Sequence, residues 1–184
     1  MPDDKNAKAG ESQDAAGANA PKAKSYIERT LVLLKPDAVQ RALIGRIIER
    51  LENVGLKIVG MKMAWIDSDF SKKHYAPHVD KPFYKFLEKT ITEGPVIAMV
   101  IEGVHAIEIV RKLTGPTEPR KAMPGTIRGD FAMHSQEHAD SKGSAIKNLI
   151  HASDSVESAN TEIHLWFSDK ELHTYKTVHE IHVF

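Results

Sequence analysis

The sequence predicts a layered α/β sandwich built on one sheet. Three observations carry this. Strand and helix signals alternate along the chain, in the order strand, helix, strand, helices, strand, helix, strand, helix, which suits one sheet covered by helices. The first strand signal, Thr30 to Leu34, is an unbroken apolar run of the kind buried on both faces. The helix signals place their apolar residues at helical spacing, so each has one face to bury. There is no internal repeat.

Each element follows from local chemistry. The first strand, in "RTLVLLKPD", stops at Pro36, which lacks the N–H a ladder needs. A helix follows, with Ile44, Ile47, Ile48, Leu51 and Val54 on one stripe and Gly55 as its stop. "LKIVGMKMAWI" reads as the second strand. "DSDFSKKHYA" offers an N-cap and a short helix. "KPFYKFLEKTI" is another helix, with Pro82 near its first turn. "GPVIAMVIEG" is an apolar strand between glycines, and "VHAIEIVRKLTG" an amphipathic helix ending at Gly115. The chain then runs as a loop to a strand at His151. A helix spans about Ser155 to Phe167, with Asp154 and Glu157 spaced like a capping box. A short helix and "HEIHVF" close the chain.

Composition narrows the function. The 184 residues suffice for one compact domain, and 41% are apolar, enough for a core. Lys plus Arg equals Asp plus Glu, 25 each. With few aromatics as well, nothing favours a nucleic-acid partner. The absence of cysteine excludes disulfides and thiolate zinc sites and suits a reducing, cytoplasmic compartment. No apolar run reaches membrane-spanning length. Residues 1–25 are rich in Ala, Lys, Asp, Gly and Ser, and are expected to be a disordered tail ahead of a domain over 26–184.

The chemistry centres on "NLIHASDSVES". His151 precedes a helix N-terminus, whose free N–H groups welcome anions and favour a neutral, nucleophilic imidazole. The helix stripe is Val156, Ala159, Ile163 and Trp166, and Glu162 lies at its edge. Two readings stand for that carboxylate: it holds one nitrogen of His151, or it is a solvated flank residue. Lys35 ends the buried strand, Arg128 sits in "PGTIRGD", and Arg111 lies in the last turn of its helix. Together they could clamp phosphoryl oxygens, although Arg111 also suits a helix C-terminus on its own. Neither G-x-x-x-x-G-K-[ST] nor G-x-G-x-x-G is present. His74 with His78, and His134 with His138, have metal-ligand spacing but no evident third ligand.

Taken in order, "ERTLVLLKPDAVQR", "HYAPHVDKPFY", "EGPVIAMVIEG", "PGTIRGDF" and "NLIHASDSVESANTEI" resemble the signature stretches of the nucleoside diphosphate kinase family, from Glu28 to about Tyr175. The resemblance implies a ferredoxin-like sandwich with a four-stranded antiparallel sheet. It implies transfer of the γ-phosphoryl group of ATP, through a phosphohistidine, to nucleoside diphosphates, maintaining nucleotide pools. His151 matches the phosphorylated histidine, Glu162 the glutamate that orients it, and Tyr75 the tyrosine beside it. Lys35, Arg111, Thr117, Arg128 and Asn148 match phosphate and ribose contacts. Phe83 matches the aromatic under the base, and Ser153 a serine near the glutamate. Mg²⁺ would be held mainly by the nucleotide phosphates, and the protein would be a homo-oligomer, a hexamer or tetramer. A silent relative would be expected to lack some of these polar residues; all are present.

Three features depart from the family pattern. "KPDA" and "HASD" replace its "KPDG" and "HGSD", and "GPTEP" puts Glu118 beside Thr117. The stretch from Phe131 to Asn148 is longer than the common form. Its polar composition predicts a surface loop, and its two anchors beside phosphate-site stretches place it beside the nucleotide or against a neighbouring subunit, the base end of the site being the favoured place.

Overall fold

The computed structural model describes residues 26–178 and 180–183; the expected tail over 1–25 lies outside them. The sheet has four antiparallel strands in the order β2-β3-β1-β4. They are β1 (Ile27–Leu34), β2 (Lys57–Ala64), β3 (Val96–Val104) and β4 (Ile150–Ala152). This is the ferredoxin-like arrangement.

The apolar run of β1 is buried on both faces, as its composition requires. Val32 and Leu34 join one core with Ile97, Met99 and Ile101 of β3, under α2 (Ile44–Glu52) and α5 (Ala106–Thr114). Leu31 and Leu33 join the other, with Val96, Ala98 and Val100. That face is covered by α3 (Ser68–His74), α4 (Tyr84–Thr92) and α8 (Val156–Trp166). Period-two alternation in the strands thus builds two cores on one sheet.

Several local readings change. Pro36 ends β1 and also opens a short helix, α1 (Pro36–Gln40), where a missing N–H costs nothing. Val54 falls past the end of α2 and is exposed. Pro82 does lie near the first turn of α4, directly before its N-cap Phe83. The stretch read as loop holds α6 (Ile127–Phe131) and α7 (Gln136–Ser141), each capped by a hydroxyl, from Thr126 and Ser135 respectively. Ser155, not Asp154, caps α8: its Oγ accepts from Ser158 N–H, while Asp154 takes the Ser158 hydroxyl.

The C-terminal stretch is tied to β2. Lys57 Nζ reaches Glu102 and Glu180 at 2.9 Å each. Gly60 lets the chain approach there, since a Cβ would meet Leu172 Cδ2 at 2.9 Å and Glu171 O at 3.0 Å. The helix α9 (Glu180–Val183) follows. Among the described residues no helix is long and apolar enough to cross a membrane.

Candidate active site

Two adjacent strand ends set the site. β1 delivers Lys35 just past Leu34, and β4 places His151 opposite Leu33. The chain enters β4 through Leu149, whose φ of 67° is left-handed. That turn is clamped. Leu149 O accepts Lys35 N–H at 2.8 Å, and Asp37 Oδ2 accepts Leu149 N–H at 3.0 Å. The turn presents Asn148 and His151 to one cavity of about 600 Å³, whose wall also includes Lys35, Arg111, Arg128 and Glu162.

His151 Nε2 lies 3.0 Å from both carboxylate oxygens of Glu162. A carboxylate only accepts, so Nε2 carries the proton and Nδ1 keeps its lone pair. Ser153 Oγ–H donates to Glu162 Oε2 at 2.6 Å and accepts Leu31 N–H at 3.2 Å. Burial pushes the Glu162 carboxyl up, but the bonds from His151 and Ser153 outweigh it and hold it below the usual carboxylate range. The edge position predicted for Glu162 is therefore used inwards. Of its stripe, Ala159, Ile163 and Trp166 are buried, whereas Val156 is exposed.

The cations are built in differently. Lys35 Nζ donates to Asn148 Oδ1 at 2.7 Å; burial first, then Arg128, pulls its pKa down to about 8. Arg128 is 8% exposed and spends three donors on carbonyls: Nε on Asn148 O, Nη1 on Gly115 O, and Nη2 on Ile150 O. Burial and Arg111 pull it down to about 10. Arg111 reaches Ala152 O only loosely, at 3.4 Å, so most of its donors stay available. Asn148 Nδ2–H donates to Thr117 O at 2.9 Å, and Thr117 is a wall residue. Three cations around one hollow create a field that favours polyanions.

Phe83 is half exposed at the rim and lies 5.8 Å from the His78 ring. Tyr75 lines the cavity, but its ring packs on His74, at 4.6 Å between centroids, not directly on His151. Burial pushes its phenol well above the usual range, so it stays protonated. The residues matched to phosphotransfer in the sequence, Thr117 and Phe83 included, thus converge on this hollow, save that Ser153 stands behind it on Glu162.

The metal pairs do not form a site. His74 Nδ1 accepts from Trp166 Nε1–H and His134 Nδ1 from Lys147 N–H. Among the described residues no group of three or more ligands is gathered. The departures from the family pattern are benign: Ala38 is helical and Ala152 lies in β4, and neither needs a positive φ. Glu118 is drawn away by Arg120 and Lys121, at 3.1 and 2.6 Å. Residues 131–147 do not form the cavity wall, contrary to expectation; they brace the Glu118–Arg120 stretch beside it. Asp37 and His74 were missed as site residues. "KPD" and "HY" in the sequence mark them, but not their contacts.

A family model described as nucleoside diphosphate kinase matches residues 28–172. The nucleoside diphosphate kinase of Pyrococcus abyssi is 57% identical over 148 residues, 80% of this chain and 89% of that one. That of Staphylococcus saprophyticus is 49% identical over 84% and 97% of the two chains. Among solved structures, the Borrelia burgdorferi enzyme, a transition-state mimic with vanadate and ADP, superposes with a TM-score of 0.83 at 45% identity. It covers 86% of this chain and 97% of its own. The Halobacterium salinarum enzyme in complex with CDP gives 0.77 at 46%, over 85% and 98%. The chain belongs to the nucleoside diphosphate kinase family, the phosphotransferases that act on nucleotides.

Proposed function

We propose that this chain moves the γ-phosphoryl group of a nucleoside triphosphate, ATP among them, onto Nδ1 of His151 and then onto a nucleoside diphosphate. The observation that carries this is the pairing of His151 Nε2 with both oxygens of Glu162 at 3.0 Å, which leaves Nδ1 free in a cationic cavity. Nδ1 attacks the γ-phosphorus, the bond from phosphorus to the bridging oxygen breaks, and the diphosphate leaves. The ring becomes a phosphoimidazolium that keeps its proton on Nε2, and Glu162 offsets that charge. The reverse sequence loads the second diphosphate, so one site serves both halves.

Lys35, Arg111 and Arg128 neutralise phosphate oxygens as charge spreads in the transition state. Asn148 and Thr117 orient the sugar-phosphate end. Phe83 stacks on the base without reading it, since every base has a π-face. Tyr75 stays protonated beside the site as a donor. The wall carboxylates are engaged, Glu162 by His151 and Ser153 and Asp154 by Ser158, so Mg²⁺ would be held by the nucleotide's own phosphates and would supply charge neutralisation there. The vanadate and ADP held together by the Borrelia relative suit this in-line transfer.

Residues 26–184 are the kinase domain, and a cytoplasmic location suits an enzyme that draws on nucleotide pools. A homo-oligomer is supported by the β2 edge, where Met61 and Met63 stand exposed at 56% and 58%, with Trp65 just past the strand exposed at 70%.

The test is labelling with [γ-³²P]ATP and Mg²⁺. Wild type takes an acid-labile, base-stable label; His151→Ala takes none but still binds nucleotide. More than trace turnover by a clean His151→Ala preparation overturns the assignment.

A further inference from the structure

His74 is a buried imidazole that the transfer chemistry leaves unused. It ends α3 and is 7% exposed. Trp166, the last residue of α8, donates its indole N–H to His74 Nδ1 at 3.3 Å. An indole nitrogen can only donate, so Nδ1 presents its lone pair and the neutral ring holds its proton on Nε2. That Nε2 is buried with no hydrogen-bond partner.

The neighbour of this ring is His151. The two imidazoles stand 4.9 Å apart between centroids, with 85° between their planes. Trp166 packs on His74 in the same edge-to-face manner at 5.6 Å. Two imidazoles thus lie near one carboxylate, yet only one can be a nucleophile. His74 has no free lone pair, because Trp166 uses it. A half-turn of its ring would leave the indole N–H without an acceptor, which is costly in a buried place. Burial and the proximity of His151 pull its pKa down to about 3, so it does not compete as a cation for Glu162.

We propose that His74 is a positioning residue for the transfer: Trp166 locks its ring, and that ring fixes the plane of His151 so that Nε2–H stays on Glu162 and Nδ1 faces the cavity. This rests on the assignment of His151 above. Edge-to-face packing has a preferred geometry, and small errors in attack geometry are expensive in rate. A locked neighbour is a direct means of holding an imidazole whose ring, among the described residues, is hydrogen-bonded only to Glu162.

The test compares wild type, Trp166→Phe and His74→Phe, which keep an aromatic ring at each place but remove one partner of the bond from either side. Single-turnover phosphorylation of His151 by [γ-³²P]ATP is followed by rapid quench, with ADP affinity measured in parallel. Both variants are expected to lose about tenfold in the phosphorylation rate while ADP affinity stays within about twofold. In wild type, ¹⁵N spectra of the histidines are expected to show His74 with an unprotonated Nδ1 and a protonated Nε2. A phosphorylation rate unchanged in both variants overturns the proposal, as does a loss of rate matched by an equal loss of ADP affinity. A wild-type His74 protonated on Nδ1 overturns it even where neither variant folds. Wild type that carries its label elsewhere than His151 overturns the site assignment instead, whereas label on His151 in variants of normal rate overturns only this step.

Discussion

Asp37 Oδ2 accepts the backbone N–H of Leu149 at 3.0 Å, across 112 positions of sequence. Leu149 is fully buried and holds a φ of 67°, a conformation that costs an L-residue about 1–2 kcal/mol. The carboxylate supplies the acceptor that makes this turn tolerable, and the turn is what brings Asn148 and His151 to the same hollow.

Asp37→Ala is therefore expected to lose both stability and turnover. It leaves a buried N–H unpaired, worth about 1–3 kcal/mol. Asp37→Asn, whose amide oxygen can still accept, should recover most of the stability. Urea unfolding beside a turnover assay reads both. An alanine variant as stable as wild type would mean that the Lys35 N–H bond to Leu149 O holds the turn alone.

Glu162→Gln should slow phosphorylation of His151 by about ten- to a hundredfold, the equivalent of about 1.5–3 kcal/mol for hydrogen bonds to a charged group. Two donors, His151 Nε2–H and Ser153 Oγ–H, converge on the carboxylate, and an amide has one oxygen for both. Because the Glu162 carboxyl is held below its usual range, its contribution to stability is full above the ordinary carboxylate pKa. It is lost only as pH falls through the lowered value. The glutamine variant should lose that part of the acid dependence. Rapid-quench labelling and acid titration of unfolding check the two halves; an unchanged rate would return Glu162 to the role of a flank residue.

Lys35 gives an alkaline limit. Its pKa, pulled to about 8 by burial and Arg128, means the free enzyme loses the cation proposed to bind phosphate as pH rises through that value. The kcat/KM profile should fall with an apparent pKa near it, and Lys35→Arg should remove that limb, since a guanidinium stays charged. Folding goes the other way. The unfolded chain keeps the proton up to about 10.5, so between the two values it binds more protons and stability rises with pH. A kcat/KM that stays flat to pH 10 in wild type would count against Lys35 as the phosphate cation.

The legible parts of this molecule were those fixed by near neighbours. The run Thr30–Leu34 could be read as doubly buried because nothing polar interrupts it after Thr30, and Leu31 to Leu34 are indeed fully buried. Glu162 was placed at a helix edge by its spacing from Ala159 and Trp166. Where two cap residues adjoin, as Asp154 and Ser155 do, composition cannot say which one leaves the helix, and the structure chose the second. Helix α7 is too short to show a period, and Gly143, with a φ of 57°, reads equally as a loop turn or as the stop it is. The Asp37 clamp and the Trp166–His74 bond join positions 112 and 92 apart, and no local pattern reports such contacts.

The segment from Gln136 to Ser144 braces the site from outside. Ser135 caps α7, and Arg120 pairs with Glu137 and Glu118 at 2.9 and 3.1 Å. Gln136 N–H reaches Glu118 Oε1 at 3.4 Å, and Arg120 N–H donates to His134 O at 3.2 Å. These bonds hold the stretch that follows Thr117, whose carbonyl takes the Asn148 amide. Replacing Gln136 to Ser144 with a short Gly-Ser turn removes the Glu137 pair and the Gln136 bond but leaves the cavity wall itself. Exposed pairs are worth about 0.2–1 kcal/mol each, so their joint loss should raise the nucleotide KM only severalfold. Turnover at saturation should change by less than about twofold, because no group that touches the phosphates is removed. The elution volume on a sizing column should be the same as that of the wild type. A shortened protein that kept its KM but came apart into smaller species would show the segment to be a subunit contact rather than a brace.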